Sequence, residues 1–408
     1  MTNLFTDKLS GGVVRHNTQC MLGDCDEEEL PELERLSRVF VNPSSENPMK
    51  ASEFLQFLDA RELVRVLRTF YKREPEYPLI ALLKSLVYKR LMKIKWFTTY
   101  EKHLNEHPNE AVQLGFRKIN GVVQVPNHET FRQLENERLG PEGYRKLRLK
   151  LVEQVIATAK NLGLVIGENV GVDSTPLEAK AKDNEAAYND HYKKHMYKSH
   201  VLVDLETFLP LAACTTIGTA YDGHSFQSLV REAVACGARP ERAYGDQHYG
   251  TYENYAFVNC ELKAKARFRL AVDDSHNEDG ELAQLRRVYQ TFWRDPDFKE
   301  NANDEEMLQF LYHHGEQKQV GAVFRNLAVS EREECPDGFF HSLYPRSACE
   351  GSNSIWKEQL DFEHSFKKKG LKNAAIHTTG TAFAVLLVAL TRLQHGITNG
   401  LARVACLV

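Results

Sequence analysis

Three acidic residues sit where a folded chain can hold carboxylates rigidly. Asp173, in Gly171-Val172-Asp173-Ser174-Thr175-Pro176, follows an apolar run from Leu162 to Val172 broken by Gly163, Gly167, Glu168 and Asn169. The pattern predicts a short buried strand ending at the aspartate, with Pro176 stopping the ladder. Asp246 closes a second run, Arg242-Ala243-Tyr244-Gly245-Asp246, 246 − 173 = 73 residues later. Two strand-end aspartates are hard oxygen ligands suited to Mg²⁺ or Mn²⁺, which keep positions for water and substrate phosphates. Such a site can hold two ions, one at the attacking and one at the leaving oxygen. A third carboxylate is then wanted from a helix facing the strand ends. Glu350 is the best candidate, flanked by Arg346 and Lys357. On a helix Arg346 and Glu350 are i,i+4, and Lys357 returns to the same face seven residues on. Plainer readings stand beside these: Asp-Ser-Thr-Pro is good turn chemistry, and Arg346–Glu350 also reads as a weak surface ion pair.

The surrounding elements must place these groups. Residues 1–50 carry the acidic run Asp24-Cys25-Asp26-Glu27-Glu28-Glu29 without sustained periodicity and read as a mobile acidic arm. From 51 to 165 the pattern is helical. Leu79, Leu83, Leu86, Val87, Leu91 and Ile94 recur at helical spacing, with Lys84, Lys89, Arg90, Lys93 and Lys95 largely between them. A helix begins after Asn127, and another from Tyr144 to Ala159 aligns Tyr144, Leu147, Leu151, Val155 and Ala159, with Arg145, Lys146, Arg148 and Lys150 mostly away from that face. After Asp173 a polar, helix-compatible segment spans 180–194. Two strands, 200–205 and 209–214, then form a hairpin around Glu206-Thr207. A helix at 226–234, the Asp246 strand, a helix at 252–262 and a strand at 268–272 follow. Residues 273–340 read as an insertion with a strand-like 319–324, and helices around 349–367 and 378–394 precede a tail at 397–408. The expected class is α/β: a mixed sheet flanked by helices, with an N-terminal helical domain and an insertion before the last catalytic helix.

Composition sets limits. The 408 residues are enough for two or three domains, and 42% hydrophobic with 26% charged content is that of a globular protein. Net charge is −4, but residues 61–165 hold 20 bases against 11 acids, a local +9 where a polyanion would dock. The eight cysteines lack any C-x-x-C or histidine-completed zinc pattern and read as reduced thiols of a cytoplasmic protein. No secretory signal follows Met1. The nine-residue apolar run Ala382–Leu390 is half a bilayer span and reads as a buried helix, not a membrane segment.

Together these residues resemble the DDE-type insertion-sequence transposases with a ribonuclease H-like catalytic core. Val170-Gly171-Val172-Asp173-Ser174-Thr175 looks like the first-aspartate strand, and Ala243-Tyr244-Gly245-Asp246-Gln247-His248-Tyr249-Gly250 like the second. Tyr197-Lys198-Ser199-His200 with its hairpin, and Ala220-Tyr221-Asp222-Gly223-His224, resemble the segments between. So does the helical front, with Leu114-Gly115-Phe116 and Pro126-Asn127-His128-Glu129-Thr130-Phe131. Arg346-x3-Glu350-x6-Lys357 matches the Tyr-x2-Arg-x3-Glu-x6-Lys signature of a subset, although Tyr344 stands one residue closer to Arg346 than that signature has it. The resemblance covers roughly 75–395, thinly across 273–340. It implies that Asp173, Asp246 and Glu350 hold two Mg²⁺ ions (or Mn²⁺), and that Arg346 and Lys357 hold DNA phosphates. Hydrolysis at a transposon end then frees a 3′-hydroxyl that attacks target DNA. The implied partners are the terminal inverted repeats and target duplex, with a homodimer to pair two ends, in a prokaryotic cytoplasm. A derived non-catalytic DNA-binding repressor, and a ribonuclease H-like nuclease that cuts without joining, are the alternatives. Secondary candidates are His248 and Tyr249, for DNA contact or local packing, and Lys198 and His200, for the cleft or a solvated hairpin edge. Asp222 reads as a further acid or a turn, and Trp356 as a base-stacking or core residue.

Overall fold

The computed structural model describes residues 49–405 and 407, so the acidic arm expected over 1–50 falls outside the described residues but for its last two positions. The front is helical: α1 Ala51–Gln56, α2 Arg61–Arg68, α3 Leu79–Leu91, α4 Phe97–Glu106 and α5 Pro108–Leu114. A small ladder of β1 Lys118–Ile119 and β2 Val122–Val123 leads to α6 His128–Gln133 and α7 Gly140–Asn161. Asn127 caps α6, its side-chain oxygen accepting the Thr130 N–H at 2.8 Å. On α7, Tyr144, Leu147, Leu151, Val155 and Ala159 are all buried, as their spacing predicts. Three of the basic residues depart from expectation. Lys84 is buried and reaches the Gln56 carbonyl at 3.3 Å, Arg90 pairs with buried Glu135 at 2.8 Å, and Arg148 is buried between Glu232 and the Leu211 carbonyl. Lysine and arginine stems are long enough to pack while their heads find internal acceptors, which periodicity does not reveal.

The centre is a six-stranded sheet of β3 Asn169–Glu178, β4 Ala187–Asn189, β5 Lys194–Asp204, β6 Pro210–Ile217, β7 Arg242–Gly245 and β8 Lys265–Phe268. α8 Gly223–Ala235 precedes β7. α9 Tyr252–Ala256, prolonged by a π-helical turn over Phe257–Glu261, precedes β8. β5 pairs antiparallel with β3 on one side and with β4 and β6 on the other, while β3, β7 and β8 run parallel. The expected class, a mixed sheet flanked by helices, is present. Three details differ. β3 does not stop at Pro176 but continues to Glu178, paired with β5 throughout. Beyond Gly171 it has a partner on one side only, and a residue without an N–H is tolerated at such an edge. The 180–194 segment forms turns and β4, not a helix. The last strand lies at 265–268 instead of 268–272, because it pairs Gly245 with Phe268 and buries Ala266 and Phe268.

The remaining elements are α10 Leu282–Gln290, α11 Asp304–His313, α12 Gln317–Glu334, α13 Pro336–Ser342, α14 Ser347–Ser354, α15 Phe362–Ser365 and α16 Leu371–Gln394. Residues 273–340 are helical, and the expected strand at 319–324 lies inside α12. Val320 and Val323, one turn apart, face a second core with Leu285, Tyr289, Met307 and Leu311. A short, mostly apolar run is ambiguous between the two periods, and this face settles it as helical. α16 is long and apolar enough to cross a membrane, yet 89% of its most apolar window is buried inside the protein. It packs on α7 and on β5 and β6, where the Thr378 hydroxyl meets those of Ser199 at 2.7 Å and Thr215 at 2.9 Å. The segment after α16 packs back too: Leu401, Ala402, Val404 and Leu407 are buried in the main core.

α12 docks on α9 through Gly321, where a Cβ would stand 1.8 Å from the Tyr252 carbonyl oxygen. Overpacking of this kind costs about 1–3 kcal/mol. Gly321→Ala is therefore expected to lower the thermal unfolding midpoint measured by circular dichroism, and an unchanged midpoint would contradict this docking.

Candidate active site

The parallel pairing of β3 with β7 brings the first two acids together. Gly171 is in register with Tyr244, so Asp173 and Asp246 each lie two residues beyond that row, on neighbouring strands and on the same face. α14 lies against β3 and brings Glu350 to the two aspartates. That approach depends on Gly171, since a Cβ there would be 2.5 Å from the Cys349 sulfur and from a Leu205 methyl.

Asp173 is held on both oxygens. The Ser174 N–H donates to Oδ1 and the Asn353 side-chain amide to Oδ2, each at 2.9 Å. Thr175 donates to the Asn353 carbonyl oxygen at 2.9 Å, which fixes the amide between strand and helix. Burial pushes the Asp173 carboxyl up to about 6. The Ser174 N–H and Arg346 oppose that rise, and the charges of Asp246 and Glu350 add to it. Three carboxylates facing a single arginine form a donor set short of positive charge, and oxygen-only donors of this type fit a hard divalent cation. Asp246 Oδ1 accepts the His248 N–H at 2.8 Å, closing a turn that aims the carboxylate off the strand end.

Of the flanking cations, Arg346 lies in a 3₁₀ turn just before α14, close enough to lower the Asp173 pKa, with its buried Nε unpartnered among the described residues. Lys357 falls in the π-helical turn Ile355–Gln359 and pairs with Glu363 at 2.9 Å. Tyr344 is exposed and rests against His341, with ring centroids 4.9 Å apart.

The secondary candidates divide. Lys198 donates to Asp222 at 2.6 Å, and Asp222 accepts the Ser174 hydroxyl at 3.0 Å, so this nearly buried pair adjoins Asp173 through Ser174. His248 is exposed, edge-on to Tyr221. Tyr249 is fully buried, its hydroxyl 2.8 Å from His200 Nδ1, while Thr216 meets the other ring nitrogen. His200 is buried as well, and burial pushes its pKa down to about 4. Both rings are buried in the core, with Tyr249 in electrostatic reach of Asp222, Asp173 and Asp246. Trp356 is likewise a core residue, packed on Phe362.

Two neighbours of the acids escaped the sequence reading. Asn353 sits three residues after Glu350, a spacing that puts both on one helical face and could have marked it. Tyr192, in the turn between β4 and β5, feels Asp173, Asp222, Asp246 and Lys357, and its partly exposed hydroxyl is raised mainly by burial. No local pattern marks it, because a turn stands there where helix was expected.

Asp173 keeps its proton below pH about 6 when no cation is bound. Its folded pKa exceeds the ordinary 3.8, so its contribution to stability is fully present below that value and is lost as pH rises through 6. The metal-free Asp173→Asn protein should therefore match wild type near pH 4 and exceed it by roughly 2–3 kcal/mol near pH 8 in urea melts. A pH-independent difference would contradict the burial account. Asn353→Ala should weaken Mg²⁺ binding by about 10–100-fold in calorimetric titrations, the usual cost of losing a group that orients a ligand. Unchanged affinity would remove Asn353 from the site.

A family model described as "Transposase DDE domain" matches residues 170–387, just over half of the chain. No curated protein and no solved structure matches it.

Proposed function

As the chain belongs to the DDE-domain transposases, a family that generally uses divalent metal ions, we propose that it is an insertion-sequence transposase that cleaves DNA at its element's ends and joins them to target DNA. The observation that carries this reading is the trio Asp173, Asp246 and Glu350, drawn from two parallel neighbouring strands and the helix laid on the first.

Asp173, Asp246 and Glu350 would hold two Mg²⁺ ions, which when bound supply Lewis acidity to the scissile phosphate. Asn353 and the Ser174 N–H keep the Asp173 oxygens oriented. Arg346 places a planar cation beside the acids, where it can both temper their repulsion and fork onto a phosphate. Lys357 serves a neighbouring phosphate once released from Glu363. Water attacks a phosphodiester at the transposon end, breaking the P–O bond to leave a 3′-hydroxyl. That hydroxyl then attacks a target phosphodiester, forming a new P–O bond while the target strand's 3′-oxygen leaves and takes up the proton. Both steps are transfers at phosphorus in which positioning and charge neutralisation carry the catalysis. Pairing two ends calls for a homodimer on the DNA, and the helical front over 51–165, with its +9 balance, is the proposed end-binding portion.

Asp173→Asn, Asp246→Asn and Glu350→Gln should each abolish Mg²⁺-dependent nicking of a duplex bearing the element's terminal repeat while leaving gel-shift binding intact. Full nicking by the Glu350→Gln protein would remove Glu350 from the set. Joining of a labelled 3′-OH end to plasmid separates a transposase from a nuclease, and wild-type cleavage without joined product would favour the latter.

A further inference from the structure

A second concentration of charge lies away from the acids, in a cleft between the helical front and the last elements of the chain. Its walls are the end of α3 and the turn after it, the 365–368 loop, and the start of α16. Six cations line it, Lys89, Arg90, Lys93, Lys95, Lys367 and Lys368, against one carboxylate, Glu135. With the rim pair Lys95–Asp361 at 3.4 Å counted in, the balance is 6 − 2 = +4. Glu135 is already committed to Arg90 at 2.8 Å and Lys368 at 3.0 Å.

The other three lysines form no ion pair among the described residues. Lys89 donates to the Lys95 carbonyl at 3.1 Å and lies 4.7 Å from the Phe97 ring centre, Lys93 donates to the Glu358 carbonyl at 3.2 Å, and Lys367 makes no ion pair among the described residues. Burial pushes the Lys89 ammonium down to about 8, with Glu135 opposing and Arg90 and Lys368 adding smaller contributions. The cavity is about 60 Å³. Since a single water needs ~10–15 Å³, it has room for a tetrahedral oxyanion but not for a nucleobase. An aromatic group lines the same cleft: Trp96, half exposed. Lys93 grips the backbone one residue after Lys357, so the cleft adjoins the turn that continues from the Glu350 helix.

We propose that this cleft seats a backbone phosphate of bound DNA, with Lys89, Lys93 and Lys367 as its cationic partners and Trp96 stacked on the adjoining nucleotide. The proposal rests on the DNA-processing reading above. It extends the DNA path from the acids across the junction of the two halves of the chain, a phosphate inside being held by point charges and a base outside by the indole face.

The test uses the full chain in EDTA, so that nothing is cleaved, with a labelled 30-base-pair duplex followed by fluorescence anisotropy over a salt series. Each phosphate contact contributes about 0.9 to the slope of log K against log salt. Lys93→Gln combined with Lys367→Gln should lower that slope by about 2 and the affinity at least tenfold, and Lys→Arg at both positions should restore the slope, which a folding defect would not allow. Trp96 emission, isolated by difference from Trp96→Ala, should be quenched by duplex and not by millimolar inorganic phosphate. An unaltered slope in the double variant overturns the proposal, as does quenching by inorganic phosphate without a slope change, which would make the cleft a free-anion site. A wild-type chain that binds no duplex even at low salt overturns both this proposal and the DNA-processing reading. Wild-type binding with unaffected variants overturns the cleft alone.

Discussion

Like charges gathered on two adjacent strands, Asp173 within β3 and Asp246 just past β7, are costly to fold, and much of the structure around Asp173 answers that cost. Its carboxyl titrates near 6 because it is desolvated beside Asp246 and Glu350, with Arg346 offsetting only part of the effect. Two hydrogen bonds, from Ser174 and Asn353, keep its oxygens pointed despite the repulsion. Gly171 lets α14 come close enough for Asn353 and Glu350 to serve the same point in space. A divalent ion placed among these carboxylates would relieve that repulsion, which is the physical basis of the proposed metal site.

Rigidity comes from what lies beneath. α16 packs on β5 and β6 and on α7, and hydroxyl contacts at Thr378 tie it to the sheet. Through α7 and α3 the same apolar core runs on into the helical front, so the front and the sheet share one packed interior. The helices at 273–340 have a core of their own and rest on α9 through Gly321. They can thus be accommodated between Asp246 and Glu350 without disturbing the strand ends.

The distribution of cations follows the same logic. Several basic residues of the front are consumed internally: Lys84 by a carbonyl, Arg90 by Glu135, and Arg148 by Glu232 and a carbonyl. Others stay exposed across the front, and one group of them, with Lys367 and Lys368, lines the cleft where the front meets the 365–368 loop. Summed charge over 61–165 is therefore a poor map of where a polyanion is met, and burial redraws it.

Much of the architecture was legible from residue order. Helical spacing identified the buried face of α7, Asn127 announced the start of α6, and the apolar hairpin around Glu206-Thr207 and the short run before Asp246 were readable as strands, because these signals are local. The sequence by itself thus determined an α/β chain, three acids in the order Asp173, Asp246, Glu350, and the helix that carries the last of them. Tertiary structure alone decided the rest. The register Gly171↔Tyr244 made two distant aspartates neighbours, β5 carried β3 past Pro176, and a helical face claimed Val320 and Val323 from an ambiguous run. It also withdrew His200, Tyr249 and Trp356 into the core and brought Asn353 and Tyr192 to the acids. Each of these depends on contacts between residues far apart in the chain, and a linear pattern carries no term for partners it has not yet met.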